Sequence, residues 1–347
     1  MLKNNLKILS IETSCDETAA AVLSGNKIKS NIIYSQLNLH KKTGGIVPEV
    51  ASRCHTEKII EVIDRALKSA KVGMRDIDLI AVTVGPGLIG SLLVGVDTAR
   101  TLAYIYKKPI IPINHIEAHI YANFMKKNSQ MPKFPAICLV VSGGHTSLNL
   151  MRGHGDYKIL GATIDDAAGE AFDKVAKILG LGYPGGPAIA KVASPYKLKD
   201  KDYKLILPRP MINSNNFDFS FSGLKTAVLY AVRKQKIKNI KQKTIIAAEF
   251  QQAVIEVLVA KTIRASRKYN AKTILIGGGV AANNLLRQEM KKAIKTYLPK
   301  TKLYIPNYDL CTDNAAIVGI CVYHIHKKKV KKLNNWKKIK INLQPSL

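Results

Sequence analysis

The sequence predicts an α/β protein that is built as two similar lobes with a cleft between them. Short apolar runs of strand length alternate with helical stretches, and each half of the 347 residues has the order βββαβαβ. A glycine-rich turn follows a buried strand in both halves, at 85–87 and again at 277–279. The repeated order indicates an internal duplication, and a cleft between duplicated lobes is a frequent ligand site.

Three strands open each half, and helices with apolar residues at helical spacing separate the strands that follow. In the first half we expect strands at 7–11, 19–23, 28–35, 79–84 and 110–113. We expect one helix at about 48–69 and a second helix that follows the turn at 85–87 and ends near residue 106. In the second half we expect strands at 136–141, 148–151, 157–162, 273–276 and 303–305, with helices at about 166–179 and 247–269.

The composition of the chain changes at three places, and these changes divide it into regions. A proline- and lysine-rich stretch at about 183–243 interrupts the second half and is expected to be an insertion at the cleft mouth. The tail from Lys327 has eight lysines and no acidic residue, so a frayed, solvated tail is favoured over a nucleic-acid-binding arm. The expected regions are an N-terminal lobe at 1–131, a C-terminal lobe at 132–310, a final helix that closes the cleft at 311–328 and a basic tail at 329–347.

The composition also limits where the protein works and what it binds. No apolar run reaches the length of about 18 residues that a membrane span needs, and a strand-like stretch begins at Leu6, so we expect neither a membrane span nor a signal peptide. Five cysteines without a C-x-x-C pair favour a reduced, cytoplasmic setting. The net charge of +30 fits nucleic acid as a partner, but a genome biased toward A and T would give the same excess of lysine without a functional cause.

Two histidines four residues apart are the sharpest local signal. His115 and His119 follow a predicted strand and lie on one face of a helix, so that both imidazoles can reach one metal ion. A zinc-protease helix has its glutamate directly after the first histidine. Here Glu117 comes two residues later and points about 200° away from the histidine face, so it cannot act as the base of a protease.

A third ligand is expected from the beginning of the last predicted helix. Asp313 lies in the stretch CTDNAA at 311–316, in what we expect to be the first turn of that helix. By itself an aspartate there is typical of a helix cap. With a histidine pair across the predicted cleft, it becomes the natural third ligand, and two histidines with one carboxylate suit Fe(II) or Zn(II).

Two glycine-rich loops, each directly after a predicted strand, predict a nucleotide site. The turn Ser142-Gly143-Gly144 offers backbone N–H groups to phosphate or carboxylate oxygens. The glycines at 277–279 allow a flat base or ribose to lie against the backbone, and Asn283 offers an amide nearby. Asp173 is predicted on a helix beside the first of these loops, where a carboxylate can bind ribose hydroxyls.

The motifs taken together resemble those of the tRNA adenosine threonylcarbamoyltransferase family, some members of which have been called sialoglycoprotein endopeptidases. The resemblance runs in order from about residue 6 to residue 326. Its motifs are IETSCDET at 11–18, VGPG at 84–87, the histidine helix at 115–119, VVSGGHT at 140–146, GEAFDK at 169–174, YPGGP at 183–187, FSFSGLKT at 219–226, GGVAAN at 278–283 and CTDNAA at 311–316.

The resemblance implies the fold of sugar kinases, heat-shock chaperones and actin, the actin-like ATPase fold, and a tRNA-modifying acyltransferase. It implies transfer of threonylcarbamoyl from threonylcarbamoyl-adenylate to the exocyclic amine of the adenosine 3′ of the anticodon, in tRNAs that read codons beginning with A, with release of AMP. The implied partners are tRNA, a metal-free paralogous subunit and a small P-loop ATPase. The implied metal, one divalent ion with Fe(II) favoured over Zn(II), has the ligands His115, His119 and Asp313, and the implied substrate contacts are Val140, Val141, Ser142, Gly143, Gly144, Asp173, Gly186 and Asn283.

The sequence departs from the family's motifs at one place. Three functions other than threonylcarbamoyl transfer also have to be considered. Some members have an acidic residue soon after the glycine that matches Gly186, whereas this chain has Ala188-Ile189-Ala190, so one ribose or hydroxyl contact is in doubt. The first function to exclude is a kinase or ATPase of the same fold, which usually has a glycine in its first-strand phosphate turn; the stretch 12–16 has none. The second is a metalloprotease, and the third is a non-catalytic nucleic-acid-binding subunit.

Overall fold

The computed structural model describes residues 5–125, 131–194, 205–234, 239–325 and 336–343. The chain divides into two units, each with its own five-stranded sheet. Unit 1 comprises residues Met1–Met131 and Pro306–Leu347, and unit 2 comprises Pro132–Ile305. The last helix and the C-terminal residues therefore belong to the first unit, although they follow the second one in sequence.

Unit 1 contains a mixed sheet with the strand order β3-β2-β1-β4-β5. The first three strands pair antiparallel, and β4 and β5 continue the sheet in parallel with β1. Every residue of β4 is buried, as expected for a parallel strand covered on both faces. The elements of unit 1 are β1 Lys7–Glu12, β2 Glu17–Ser24, β3 Lys27–Ser35, α1 Leu37–Thr43, α2 Pro48–Ser69, β4 Leu79–Gly85, α3 Ile89–Ile105, β5 Ile110–Asn114 and α4 His115–Tyr121.

Unit 2 repeats this sheet, with the strand order β10-β9-β6-β7-β8. Its antiparallel strands β6 to β8 correspond to β1 to β3, and its parallel strands β9 and β10 correspond to β4 and β5. The duplication predicted from the sequence is confirmed by this shared topology. The elements of unit 2 are β6 Ala136–Val141, β7 Thr146–Gly153, β8 Asp156–Ala162, α5 Ala168–Leu179, α6 Gly185–Ala193, α7 Ser222–Lys234, α8 Ile240–Lys268, β9 Thr273–Gly277, α9 Asn284–Tyr297 and β10 Lys302–Tyr304.

The predicted insertion at about 183–243 contains regular structure that its composition did not indicate. Helices α6 and α7 lie within it, and α8 begins at Ile240, seven residues before the predicted start. Contacts with the rest of unit 2 fix both ends of the segment from Arg209 to the start of α7. Arg209 forms ion pairs with Glu249 and Glu256 of α8, and Asp165 accepts hydrogen bonds from the backbone N–H groups that begin α7.

The last helix, α10 (Ala315–Ile325), packs against the first sheet and against α4. A Cβ atom at Gly319 would come within 2.2 Å of the Leu23 side chain, so this glycine lets the helix lie close to β2. The helix begins later than the predicted start at 311. Asn314 is its cap, because the Asn314 Oδ1 atom accepts a hydrogen bond from the Ile317 amide at 3.2 Å.

The C-terminal segment 336–343 is packed against unit 1, so the prediction of a frayed tail is wrong for these residues. Ile339 is 8 % exposed and joins the apolar cluster between the first sheet and helices α2 and α3. Trp336 packs edge-on against Tyr104 of α3, with 5.3 Å between ring centroids. The rest of the predicted tail, at 327–335 and 344–347, lies outside the described residues.

None of the helices in the described part of the chain is long and apolar enough to cross a membrane.

Candidate metal centre and nucleotide loops

Helix α4 begins where β5 ends because Asn114 caps it. The Asn114 Oδ1 atom accepts hydrogen bonds from the amides of Ile116 (2.8 Å) and Glu117 (3.2 Å). This cap fixes His115 as the first residue of the helix and places His119 one turn later on the same face. Both side chains are buried, and their ring centroids are 4.6 Å apart at an interplanar angle of 82°.

Asp313 completes a group of three, as predicted. Its Oδ1 atom lies 3.1 Å from the Nε2 atom of His119 and 3.6 Å from the Nε2 atom of His115. One donor atom from each of the three side chains lies within 4.8 Å of the other two. The predicted place of Asp313 in the first helical turn is wrong, because it lies in the bend before the Asn314 cap. Asn314 therefore caps the helix, and the Asp313 carboxylate faces the imidazoles.

A second layer of polar side chains orients His115, and the sequence analysis did not identify it. The Nδ1 atom of His115 lies 3.1 Å from the Ser14 Oγ atom and 3.3 Å from the Glu12 Oε2 atom. Glu12 is itself held by the Thr83 hydroxyl (2.5 Å) and by the Ser14 amide (2.7 Å). An Nδ1–H group donated to a carboxylate leaves Nε2 as the donor atom toward a metal ion.

The centre has a strongly negative character that favours a cation. Burial acts to lower the pKa of His115, but the carboxylates of Asp313 and Glu12 outweigh this effect and raise the pKa to about 9. Burial also acts to raise the pKa of Glu12, and the contact with His115 reverses the shift and lowers it. A divalent cation held by these side chains would supply the positive charge that the two carboxylates favour at this place.

The donor set and its surroundings fit a divalent metal. Two imidazole nitrogens and one carboxylate oxygen converge with open positions left over, a combination that suits Fe(II) or Zn(II). The second histidine is held differently from the first, because the Nδ1 atom of His119 is buried without a hydrogen-bond partner among the described residues. Packing thus orients the far side of the His119 ring, whereas hydrogen bonds orient that of His115.

Glu117 lies away from the metal centre, as predicted. Burial and the neighbouring Glu117 carboxylate raise the pKa of the Cys321 thiol, which places this carboxylate beside α10. A glutamate that faces Cys321 is in no position to activate a water molecule between His115 and His119.

In unit 2, the loop after β6 is shaped by its own hydrogen bonds. The Ser142 amide donates to the His145 carbonyl at 2.8 Å, and the Ser142 Oγ atom accepts from the His145 amide at 3.1 Å. Gly143 and Gly144, between these residues, are exposed. Gly169 in the first turn of α5 donates its N–H to the Ser142 carbonyl at 3.1 Å, so that this helix begins against the loop.

The glycines around this loop allow a close approach of backbones. A Cβ atom at Gly169 would lie 2.6 Å from the Ser142 carbonyl oxygen. A Cβ atom at Gly278, which has a φ of +91°, would lie 2.3 Å from the Val141 carbonyl oxygen. The ends of β6 and β9 and the start of α5 are therefore packed together, and a larger residue at either glycine would separate them.

The remaining predicted contact residues have structural roles of their own. Val140 and Val141 are fully buried at the end of β6, so their side chains belong to the core. The Asp173 Oδ1 atom accepts a hydrogen bond from the Gly185 amide at 2.6 Å, next to Gly186 in the first turn of α6. Asn283 caps α9 through the Leu286 amide and donates to Gln251 at 2.8 Å. The structure thus places all eight predicted substrate residues in unit 2 and all three metal ligands in unit 1.

Comparison with known proteins gives one consistent family. The family model described as tRNA N6-adenosine threonylcarbamoyltransferase matches residues 27–320. The chain is similar to curated proteins of that name from Syntrophomonas wolfei (51 % identity; 98 % of this chain, 97 % of the relative), Persephonella marina (50 %; 93 % and 91 %) and Thermomicrobium roseum (48 %; 93 % of each).

Solved structures resemble this chain in fold. The HypF protein of T. kodakarensis matches with a TM-score of 0.63 at 14 % identity, over 94 % of this chain and 48 % of that one. Component A of the (R)-2-hydroxyglutaryl-CoA dehydratase of Acidaminococcus fermentans matches with a TM-score of 0.51 at 13 % identity, over 94 % of this chain and all of that one. The predicted fold class, a duplicated α/β protein of the actin-like ATPase type, is confirmed.

The first prediction concerns the third metal ligand. Asp313→Asn is expected to lower the affinity for Zn(II) or Fe(II) by at least about 100-fold, because the centre loses its only carboxylate ligand among the three. Titration against a chromophoric chelator measures this loss. The matched control is Asp309→Asn, an exposed aspartate four residues earlier, which should bind metal like the wild type. Equal affinity of both variants would exclude Asp313 as a ligand.

The second prediction concerns the layer behind His115. Glu12→Gln is expected to weaken metal binding by about 10- to 100-fold, because a neutral amide orients the imidazole less strongly than a carboxylate. Glu117→Gln on α4 makes the same chemical change outside the centre and should leave the affinity unaltered. The same chelator titration compares the two, and a loss in Glu117→Gln equal to that in Glu12→Gln would contradict the assignment.

Proposed function

The chain belongs to the tRNA N6-adenosine threonylcarbamoyltransferase family, and from this premise we propose the reaction it catalyses. It transfers the threonylcarbamoyl group from threonylcarbamoyl-adenylate to the exocyclic amine of the adenosine 3′ of the anticodon, in tRNAs that read codons beginning with A. The observation that carries the proposal is the convergence of the buried His115 and His119 with the partly buried Asp313 in a chain with this family's motifs.

The reaction is an acyl transfer from an activated mixed anhydride. The amine nitrogen of adenosine forms a bond with the carbonyl carbon, the bond from that carbon to the phosphate oxygen of AMP breaks, and the amine loses one proton. A donor that is already activated mainly needs correct positioning and stabilisation of developing negative charge. We assign no general base in this chain.

The three metal ligands hold one divalent ion in this proposal, with Fe(II) favoured over Zn(II). When bound, the ion supplies Lewis-acid polarisation of the carbonyl group without a change of oxidation state. Glu12 and Ser14 keep the Nε2 atom of His115 aimed at the ion through their contacts with Nδ1. The reduced thiols of five free cysteines are compatible with Fe(II) and with the cytoplasm, where we place the protein.

The adenylate part of the donor binds to unit 2. The exposed amides of Gly143 and Gly144 suit its phosphate, since consecutive backbone N–H groups form anion sites. The half-buried carboxylate of Asp173 and the first turn of α6 at Gly186 suit the ribose, and Asn283 lies at the start of α9 beside the turn after β9. Val140 and Val141 support the loop from the end of β6, and their side chains take no part in binding because they are in the core.

The partner tRNA is consistent with the distribution of charge. Residues 261–302 contain eleven basic residues and one acidic residue, which is +10 of the total +30, whereas residues 1–131 have a net charge of +6. A uniform codon bias does not account for this concentration. Lys291, Lys292 and Lys295 are exposed on α9, and the guanidinium of Arg267 lies 5.1 Å from the ring of Tyr297, so we place phosphate contacts of the tRNA on this surface.

Two protein partners complete the proposal, a metal-free paralogous subunit and a small P-loop ATPase. Helices α2 and α3 of unit 1 carry exposed apolar side chains that suit a protein interface, namely Ile60 (65 % exposed), Ile89 (56 %) and Leu93 (44 %). A Cβ atom at Gly90 would lie 3.0 Å from Ser52, so the two helices are close together at their beginnings.

The third prediction is the transfer reaction itself. Protein, threonylcarbamoyl-adenylate and unmodified tRNA are mixed with the two partner proteins, and the modified nucleoside is detected by mass spectrometry. The wild type should form it, and His115→Ala should lose at least about 100-fold in rate with its fold intact, because the ion loses a ligand. Full activity of metal-stripped protein or of His115→Ala would refute the role of the metal.

The same preparation distinguishes this reaction from the three other functions. Rapid ATP turnover by the isolated chain would favour a kinase or ATPase, and casein cleavage that a chelator blocks would favour a protease. Binding of tRNA that ignores both metal and nucleotide, without transfer, would favour a non-catalytic subunit.

A further inference from the structure

The C-terminal segment 336–343 lies against the turn 84–88, which comprises the end of β4 and the residues after it, and this turn contacts a residue beside the metal centre. The backbone amide of Asn342 donates a hydrogen bond to the Val84 carbonyl at 2.8 Å. A Cβ atom at Gly85, which has a φ of +144°, would lie 1.7 Å from the Asn342 carbonyl oxygen. Only a glycine allows the segment to pass this close to the turn.

The other side of the same turn contacts Ser14. A Cβ atom at Gly87 would lie 2.5 Å from the Ser14 carbonyl oxygen, and the Leu88 amide donates to that oxygen at 2.8 Å. The Ser14 hydroxyl in turn lies 3.1 Å from Nδ1 of His115. Three consecutive contacts therefore lead from the C-terminal segment, through the turn 84–88 and Ser14, to a metal ligand.

Two further contacts hold the segment in place besides the hydrogen bond to Val84. The Ile339 side chain is 8 % exposed in the apolar cluster of unit 1, which gives the segment a hydrophobic attachment. Trp336 packs against Tyr104, and the Arg100 guanidinium lies 5.9 Å from the indole ring. A segment anchored in this way resists outward movement of the turn that it covers.

We propose that the segment 336–343 is a positioning strap, which fixes the turn 84–88 and thereby keeps Ser14 in contact with His115 of the metal centre. The strap contains none of the proposed metal ligands or substrate contacts, and we expect it to act through Ser14. Outer hydrogen-bond partners of a ligating histidine set its ring orientation and basicity, so their displacement is expected to weaken metal binding. The inference rests on the metal centre of the proposed function.

The test detaches the strap by substitution and measures the effect on metal binding. Ile339→Ser removes the buried anchor, and Leu343→Ser makes the same kind of change at a side chain that is 49 % exposed. Hydrogen–deuterium exchange of the C-terminal peptide reports whether the strap is released. The visible absorption spectrum of bound Co(II) reports the ligand geometry, and chelator competition with Zn(II) reports the affinity, all on the full-length chain.

Ile339→Ser is expected to speed exchange of the C-terminal peptide, to alter the Co(II) spectrum and to weaken Zn(II) binding by about 10-fold. Leu343→Ser should match the wild type in all three measurements. If Ile339→Ser fails to fold, Asn342→Pro removes the single backbone donor to Val84, and Asn342→Ala, which keeps that donor, is its control.

If Ile339→Ser shows fast exchange of the C-terminal peptide but keeps the wild-type Co(II) spectrum and the wild-type affinity for Zn(II), the proposed role of the strap is wrong. This result differs from a failure of the proposed function, in which the wild-type protein itself would bind no metal.

Discussion

The proposed reaction depends on one arrangement of side chains, in which two imidazoles meet a carboxylate. This carboxylate, of Asp313, lies 194 residues after His119 in the sequence. His115 and His119 come from a short helix whose start is fixed by the Asn114 cap, and Asp313 comes from the bend before another helix. Charges and polar groups buried in this way are costly unless they are paired or bound to a metal. The pKa of His115 is raised to about 9 because the carboxylates of Asp313 and Glu12 favour a positive charge beside them.

The metal centre and the nucleotide loops that we propose lie in different units of the duplicated fold. The metal centre is built entirely from unit 1, because the last helix returns to the first sheet after the second unit is complete. The loops suited to a nucleotide are built from unit 2, where Gly169 and Gly278 let backbones approach more closely than any side chain would allow. The same arrangement of five strands therefore occurs twice, and the connections at the strand ends differ between the two units.

The sequence predicted the features that depend on local pattern, and it missed those that depend on distant neighbours. The duplication and the His115–His119 pair follow from periodicity, and the motif around Asp313 led us to expect it beside the two histidines, where the structure places it. The role of Glu12 was missed, because only its contact with His115 distinguishes it from any acid at the end of a strand. The packed segment 336–343 was missed for the same reason, since its lysines suggest a solvated tail while its anchors lie far away in the chain.

The central claim is that the three side chains share one ion, and anomalous X-ray diffraction at the absorption edge of iron or zinc tests it most directly. In crystals of the protein loaded with that metal, we predict one anomalous peak at about 2.0–2.2 Å from the Nε2 atoms of both histidines and from a carboxylate oxygen of Asp313. An active, metal-loaded protein with no peak there, or with its metal bound to other residues, would contradict this account.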